Sequence, residues 1–325
     1  MIYVESQTTN PYYNLALEEY LFEHLDSGKE CCFFWQNDNT IVVGKYQNTA
    51  EEVNRQYVDE HGIRVVRRLS GGGAVYHDKG NLNYTLIVDQ ADYEDFNFRA
   101  FVAPVMKVLE KFGVEAQFNG RNDMTINGLK FSGSSQYSRN GRLLHHGCIM
   151  LDSNLLSVAE ALNVKPAKFE SKSMKSVRSR VTTINENAPA PIGMDDFKKA
   201  LKECIFQNAV PESYVFSPTE LEAVEELKKK YEAWEWNYGH SPAYTMRREM
   251  KFPAGLVTAL LNVKGGTIET VKFFGDFFGN RDLAELEQAM TGIPLDENLE
   301  TALERLDVSS YMNGITARQL SGLLR

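Results

Sequence analysis

The run Ile63-Arg64-Val65-Val66-Arg67-Arg68-Leu69-Ser70-Gly71-Gly72-Gly73-Ala74-Val75-Tyr76-His77-Asp78 constrains this chain more than any other stretch. A β-branched segment ends on two guanidinium groups, and three glycines follow at once. Without Cβ atoms the glycine backbone can approach a ligand closely and present its N–H groups, while Arg67 or Arg68 supplies a charged, forked donor. Such a combination builds an anion site. Glycines alone would read as a turn, and it is the adjoining arginines that point the segment toward phosphate.

The chain has 325 residues, 43% of them hydrophobic, which is enough for a full core and for two domains. No apolar run approaches the ~20 residues of a membrane helix. The start, Met1-Ile2-Tyr3-Val4-Glu5, lacks the basic and apolar regions of a signal peptide, so a cytoplasmic protein without membrane contact is expected. Four cysteines, with Cys31 and Cys32 adjacent, show no metal-ligand spacing and read as reduced thiols. A net charge of −9 argues against a general nucleic-acid binder. Positive charge is nevertheless concentrated where Lys165, Lys168, Lys172, Lys175, Arg178 and Arg180 accompany the single acid Glu170. A loop of that character suits closure over an anionic ligand.

Asn10 and Pro11 read as N-cap and first residue of a helix whose core face is Tyr13, Ala16, Leu17, Tyr20 and Leu21. Strands are expected at 31–36, 40–44, 63–69 and 82–88, then a helix over 98–112 and an extended run at 114–118. Asn127-Gly128 and Asn140-Gly141 are hairpin signals. The first 160 or so residues thus predict an α+β class, a mixed sheet with flanking helices. Helices follow at 197–206 and 220–234. After the aromatic segment Trp234-Glu235-Trp236-Asn237-Tyr238-Gly239, a boundary and possible hinge is placed at Thr245–Lys251. This divides the chain into a unit of residues 1–245 and a small α+β unit of 250–325.

A second informative block is Gly120-Arg121-Asn122-Asp123, followed by Leu129-Lys130-Phe131-Ser132-Gly133-Ser134-Ser135 and His145-His146-Gly147. Strict alternation from Leu129 would put Lys130, Ser132, Ser134 and Gln136 on one polar face, and Leu129, Phe131, Gly133 and Tyr137 on a core face. In a polar pocket, Lys130 would neutralise the anions that must meet when a carboxylate attacks an α-phosphate. Asp123 and Asp78 are the candidate carboxylates for Mg²⁺, which takes one or two and leaves its other positions to phosphate and water. Neither a P-loop nor a Rossmann glycine motif is present. His145 and His146 would point to opposite faces of a strand and so could not chelate one ion. Cys148, on the face of His146, is a conceivable nucleophile and equally an ordinary core thiol.

These blocks together resemble the lipoate-protein ligase A family, within the biotin/lipoate protein ligases. The resemblance continues through Ser176-Val177-Arg178-Ser179-Arg180-Val181, Trp236-Asn237-Tyr238-Gly239 and Val271-Lys272-Phe273-Phe274-Gly275-Asp276-Phe277-Phe278, covering nearly the whole chain. It implies adenylation of lipoate by ATP with Mg²⁺, release of pyrophosphate, and transfer of the lipoyl group to a lysine of a lipoyl acceptor domain. Acceptors would be lipoyl domains of 2-oxoacid dehydrogenase E2 subunits or the glycine cleavage H protein, and the ligase itself is expected to be a monomer. The family's ATP contacts fall on Arg68 and on Gly73, Ala74, Val75 and Tyr76, and its essential lysine on Lys130. Ser70, Gly72, Asp123, His146, Arg178 and Arg180 complete the expected binding set, with Asp123 as metal ligand. Three rival readings are an octanoyl or lipoyl transferase using Cys148 without ATP, a biotin ligase, and a non-catalytic lipoate-binding or carrier protein.

Overall fold

A computed structural model describes residues 1–26, 28–92, 97–119, 122–162, 180–238 and 245–325. Its strands, in chain order, are β1 (Ile2–Glu5), β2 (Cys31–Trp35), β3 (Thr40–Val43), β4 (Arg64–Arg67), β5 (Val75–His77), β6 (Asn81–Asp89), β7 (Gln117–Asn119), β8 (Asp123–Ile126), β9 (Leu129–Arg139), β10 (Arg142–Met150), β11 (Glu212–Ser213), β12 (Met246–Phe252), β13 (Gly255–Lys264) and β14 (Thr267–Gly275). The main sheet has eight strands in the order β11-β1-β2-β6-β10-β9-β8-β7. Its β1 pairs are parallel and the others antiparallel, as a mixed sheet requires. A small sheet, β4-β3-β5, carries the glycine segment between its two outer strands.

Period-two alternation decides what covers each face of the main sheet. Cys31, Phe33 and Trp35 turn toward the helices Pro11–His24 and Pro218–Glu232, where they pack with Leu15, Leu21, Val224 and Tyr231. Cys32 and Phe34 turn the other way, into a core shared with the helices Phe98–Lys111 and Met194–Ile205 through Phe101, Val105, Leu109, Phe197 and Leu201. The vicinal cysteines therefore lie in different cores, both as buried free thiols. Each fully buried Leu or Phe contributes about 1.5–3 kcal/mol, so these two layers fix the sheet that the site is built on.

Local signals act as the sequence predicts at several points. The Asn10 side chain accepts from the Tyr12 N–H ahead of Pro11. Asn127 and Gly128 (φ 51° and 78°) and Asn140 and Gly141 (φ 52° and 75°) adopt the left-handed geometry of two-residue hairpins, closing β8 onto β9 and β9 onto β10. The extended run expected at 114–118 is strand only over Gln117–Asn119.

The expected link at Thr245–Lys251 is different in the structure. Met246–Phe252 is strand β12, paired residue for residue with β13, and the Thr245 N–H already donates to the Leu261 carbonyl at 2.9 Å. Alternating apolar residues at Met246, Met250 and Phe252 among charged ones were too sparse to read as a strand. A hinge cannot lie within a strand whose ladder is intact. The three-stranded sheet β12-β13-β14 and four short helices enclose their own core of Val257, Leu261, Phe273, Leu286 and Leu320.

This C-terminal unit is seated on the first. The Tyr46 and Phe277 rings stack at 5.0 Å, the Gly275 N–H donates to the Tyr46 carbonyl at 2.8 Å, and Ser138 Oγ donates to Asn280 Oδ1 at 3.0 Å. A Cβ on Gly71 would stand 2.3 Å from the Phe277 carbonyl oxygen, so the glycine segment lies directly under this unit. Among the described residues, no helix is long and apolar enough to cross a membrane.

Candidate active site

The two adjacent arginines have separate tasks because they leave the end of β4 in opposite directions. Arg67 is clamped by the segment that follows helix Pro218–Glu232. Its Nε donates to the Trp236 carbonyl at 2.9 Å, Nη1 to the carbonyls of Gly44, Lys45 and Gln47, and Nη2 to Thr49 Oγ1 and the Asn237 carbonyl. Asn237 Oδ1 also takes the Arg67 backbone N–H at 2.9 Å, and Trp236 Nε1 donates to the Arg67 carbonyl at 2.9 Å. Arg67 is thus a structural bolt, and of the two arginines the sequence offered it leaves Arg68 beside the glycines.

Arg68 shapes the glycine segment. Its Nη2 donates to the carbonyls of Gly71 (2.6 Å) and Gly73 (2.9 Å), Nη1 to the Val42 carbonyl (3.2 Å), and Nε to Ser70 Oγ (3.1 Å). Holding those carbonyls leaves the intervening N–H groups free of them. Burial pulls both guanidinium pKa values down to about 10, which leaves them charged at neutral pH. Gly72 sits at φ 91°, a conformation that glycine adopts freely.

Behind the glycine segment runs a buried polar relay. Ser70 Oγ meets His146 Nε2 at 2.6 Å, His146 Nδ1 meets Glu18 Oε1 at 2.9 Å, and Glu18 Oε1 accepts from Thr85 Oγ1 at 2.6 Å. Because a carboxylate only accepts, His146 Nδ1 carries a proton that points at Glu18. His145, one residue earlier, turns to the other face and stacks on Phe101 at 4.7 Å, so the two histidines are separated as the strand geometry requires.

Lys130 reaches the cleft by a route that strict alternation does not predict. Across the β8–β9 ladder, Met124 faces Ser132 but Thr125 faces Lys130, so Phe131 is an extra, bulged residue. The bulge reverses the alternation on one side of it. Ser132, opposite the core residue Ile149, and Gln136, whose Nε2 lies 3.2 Å from His145 Nδ1, belong to the helix-covered face. Lys130 instead shares the cleft face with Gly133 and Ser135, the face the sequence assigned to the core. A Cβ on Gly133 would fall 2.9 Å from Lys130 Nζ. Ser135 Oγ donates to the Gly71 carbonyl at 2.8 Å, tying this strand to the glycine segment.

Lys130 Nζ lies 2.7 Å from Asp123 Oδ1, with both side chains a little over one third exposed. Its backbone N–H donates to the Arg180 carbonyl at 2.7 Å and its carbonyl accepts from the Thr182 N–H at 2.9 Å. The end of the basic segment is therefore anchored beside the lysine. Arg178 and the rest of that segment from Lys165, together with Gly120 and Arg121, lie outside the described residues.

One cleft of about 580 Å³, its mouth included, gathers Arg68, Gly72, Gly73, Ala74 and Val75 on one wall and Lys130, Gly133, Ser135, His146 and Cys148 on the other. Ser70 and Glu18 stand behind these walls. Tyr76 is buried, its hydroxyl donating to Asn39 Oδ1 at 3.0 Å. Asp78 caps the next turn, accepting from the N–H groups of Gly80 (2.9 Å) and Asn154 (2.7 Å), which occupies both its oxygens away from the cleft. Leu15, Trp35, His77 and Asn83 also line the cleft and were not singled out in the sequence. Trp35 lay hidden in an unbroken apolar run, and only the alternation of β2 would have turned it to the glycine side. Cys148 Sγ rests 3.6 Å from the Gly133 carbonyl, and the neighbouring imidazole of His146 has both nitrogens engaged.

Residues 10–206 match the lipoyl protein ligase A/B catalytic domain, and residues 241–324 the bacterial lipoate protein ligase C-terminus. Lipoate–protein ligase 1 of Staphylococcus aureus is 43% identical over 318 residues, covering 97% of each chain. In fold, the whole chain superposes on P. falciparum LipL1, solved in complex with lipoate, with a TM-score of 0.79 over 98% of that chain at 22% identity. A lipoate-protein ligase A solved with ATP matches 73% of this chain and 98% of its own, at 25% identity and a TM-score of 0.63. The catalytic-domain and C-terminal matches, together with a relative 43% identical over 97% of each chain, place this chain in the lipoate-protein ligase family.

Proposed function

We propose that this protein is an ATP-dependent lipoate-protein ligase, which activates lipoate as lipoyl-AMP with loss of pyrophosphate and transfers the lipoyl group to a lysine of an acceptor domain. The carrying observation is that Lys130 and the Arg68-ordered glycine segment line one cleft. Glycine-segment N–H groups bind the phosphates. The Lys130 ammonium, between carboxylate and α-phosphate, offsets the repulsion of two anions as the carboxylate oxygen attacks phosphorus and the pyrophosphate oxygen departs. In the second step the same ammonium stabilises the negative charge that develops on the mixed anhydride when the acceptor amine attacks its acyl carbon. AMP then leaves with the bonding electrons.

Magnesium fits as an ion carried in on the nucleotide. Among the described residues no group of three His, Cys, Asp or Glu side chains could hold one, whereas Mg²⁺ on phosphates needs only one or two carboxylates. Asp123 would supply one, exchanging part of its contact with Lys130. The acceptors this reading implies are lipoyl domains of 2-oxoacid dehydrogenase E2 subunits and the glycine cleavage H protein, served by a monomeric, cytoplasmic enzyme. Residues beyond Thr245 would form the accessory domain.

With ATP, Mg²⁺ and lipoate, the purified protein should catalyse lipoate-dependent ATP–pyrophosphate exchange and label an apo lipoyl domain, and Lys130→Ala should lose both. ATP-free transfer from an octanoyl carrier protein, abolished by Cys148→Ala, would establish the rival transferase instead.

A further inference from the structure

His77 is buried, 3% exposed, and its ring lines the cleft beside Trp35, whose indole it meets edge-on at 6.1 Å. Two amides flank its Nδ1, and one of them fixes the tautomer. Asn14 Nδ2 donates to the Thr8 and Gln36 carbonyls and to Asn37 Oδ1 at 3.0 Å, so the Asn37 oxygen faces Asn14 and its Nδ2 faces His77 Nδ1 at 3.3 Å. On the other side Asn81 Nδ2 donates to Asn83 Oδ1 at 3.0 Å, and Asn83 Nδ2 lies 3.4 Å from the same Nδ1. Asn37, oriented by Asn14, approaches Nδ1 with a donor, so Nδ1 is the acceptor nitrogen and the proton sits on Nε2.

That Nε2–H has no hydrogen-bond partner among the described residues. Leaving a buried donor unmatched is unfavourable, and a neutral imidazole locked in one tautomer has only a donor to offer there. Burial, with Arg68 and His146 nearby, pulls the His77 pKa down to about 3, so the ring stays neutral at any working pH. The tautomer that Asn37 selects is thus permanent.

We propose that His77 is a ligand-binding residue whose Nε2–H donates to an acceptor oxygen of the acyl-adenylate, on either its acyl carbonyl or its phosphate. The proposal rests on the adenylation reading above. His77 immediately follows Val75 and Tyr76, where the glycine segment returns to strand, and shares the cleft with Lys130 and Arg68. Lysine and arginine supply charge to the same intermediate, whereas His77 supplies a directional hydrogen bond without a further charge.

The test pairs two substitutions. In His77→Asn the side-chain oxygen can take the place of Nδ1 toward Asn37 and Asn83, but nothing stands where Nε2 was. In His77→Gln the terminal amide nitrogen reaches the Nε2 position. A hydrolysis-resistant lipoyl-sulfamoyl adenosine, measured by calorimetry, should bind His77→Asn about 10- to 100-fold more weakly than wild type and His77→Gln within about threefold. In ¹⁵N-histidine spectra of the wild type, the Nε2–H tautomer should persist from pH 5 to 8, and its resonance should shift when the analogue binds. A matching shift with lipoate alone would assign the acyl oxygen, and one with ATP alone the phosphate. Equal affinities for wild type and His77→Asn, or an Nδ1–H tautomer, would overturn the inference even if wild-type pyrophosphate exchange is intact. Absence of that exchange in the wild type would remove the adenylation reading and this inference with it.

Discussion

Gly133→Ala separates the geometry of the site from its stability. Its Cβ would stand 2.9 Å from Lys130 Nζ and 3.0 Å from Cε, against about 3.4–4 Å for ordinary contact, so the ammonium must withdraw by roughly 0.5–1 Å. From 2.7 Å, that displacement breaks the hydrogen-bonded contact with Asp123. Lys130 is the far end of a flexible side chain, so the fold can accommodate the methyl. The ion pair it disturbs is over one third exposed on both sides and contributes under about 1 kcal/mol. A displacement of about 1 Å at a reacting centre can lower a rate about 100-fold. Thermal unfolding should shift by no more than about 2–4 °C, while lipoate-dependent pyrophosphate exchange falls about 10- to 100-fold. Normal exchange in a folded Gly133→Ala protein would refute the claim that the bulged strand aims Lys130 past this glycine.

Three further outcomes follow from the same contacts. Arg67→Ala leaves six acceptors, four of them in buried contacts, without their guanidinium and should lower unfolding stability by about 3–5 kcal/mol in urea titrations, whereas Arg68→Ala should also weaken ATP binding through disorder of the glycine carbonyls. Gly71→Ala drives a methyl to 2.3 Å from the Phe277 carbonyl, backbone that cannot easily yield, and should cost about 1–3 kcal/mol in the same assay. Burial depresses the folded pKa values of His77 (to about 3) and His145 (well below the usual 6.5), so each binds a proton in the unfolded chain before the folded one. Below pH 6.5 each should therefore remove up to about 1.4 kcal/mol of stability per pH unit, and a flat stability profile between pH 6.5 and 4 would contradict this.

Local grammar carried much of the fold. Asn10-Pro11, Asn127-Gly128 and Asn140-Gly141 specify backbone angles by their own chemistry, and each element they delimit is present. The glycine segment, read as a ligand site for the same reason, does line a cleft. Lys130 was recognised and does line a polar cleft, but the residues sharing its face were misassigned, because a bulge at Phe131 leaves no compositional mark in a single sequence. The arginines were indistinguishable as letters. Which one clamps the chain and which shapes the glycines depends on Trp236 and Asn237, some 170 positions later. His77 was similarly silent, since its tautomer is set by asparagines from two other segments.

The seat of Phe277 and Phe278 on Gly71 has a thermodynamic corollary. A loop that must accept a nucleotide on one side while touching a second folded unit on the other makes the two occupancies one linked equilibrium. If nucleotide changes the affinity of the C-terminal unit for the loop by some factor, seating of that unit changes nucleotide affinity by the same factor. Wherever that factor differs from one, nucleotide affinity becomes a property of both domains, and removing residues from Thr245 onward would change it without deleting a single residue of the cleft.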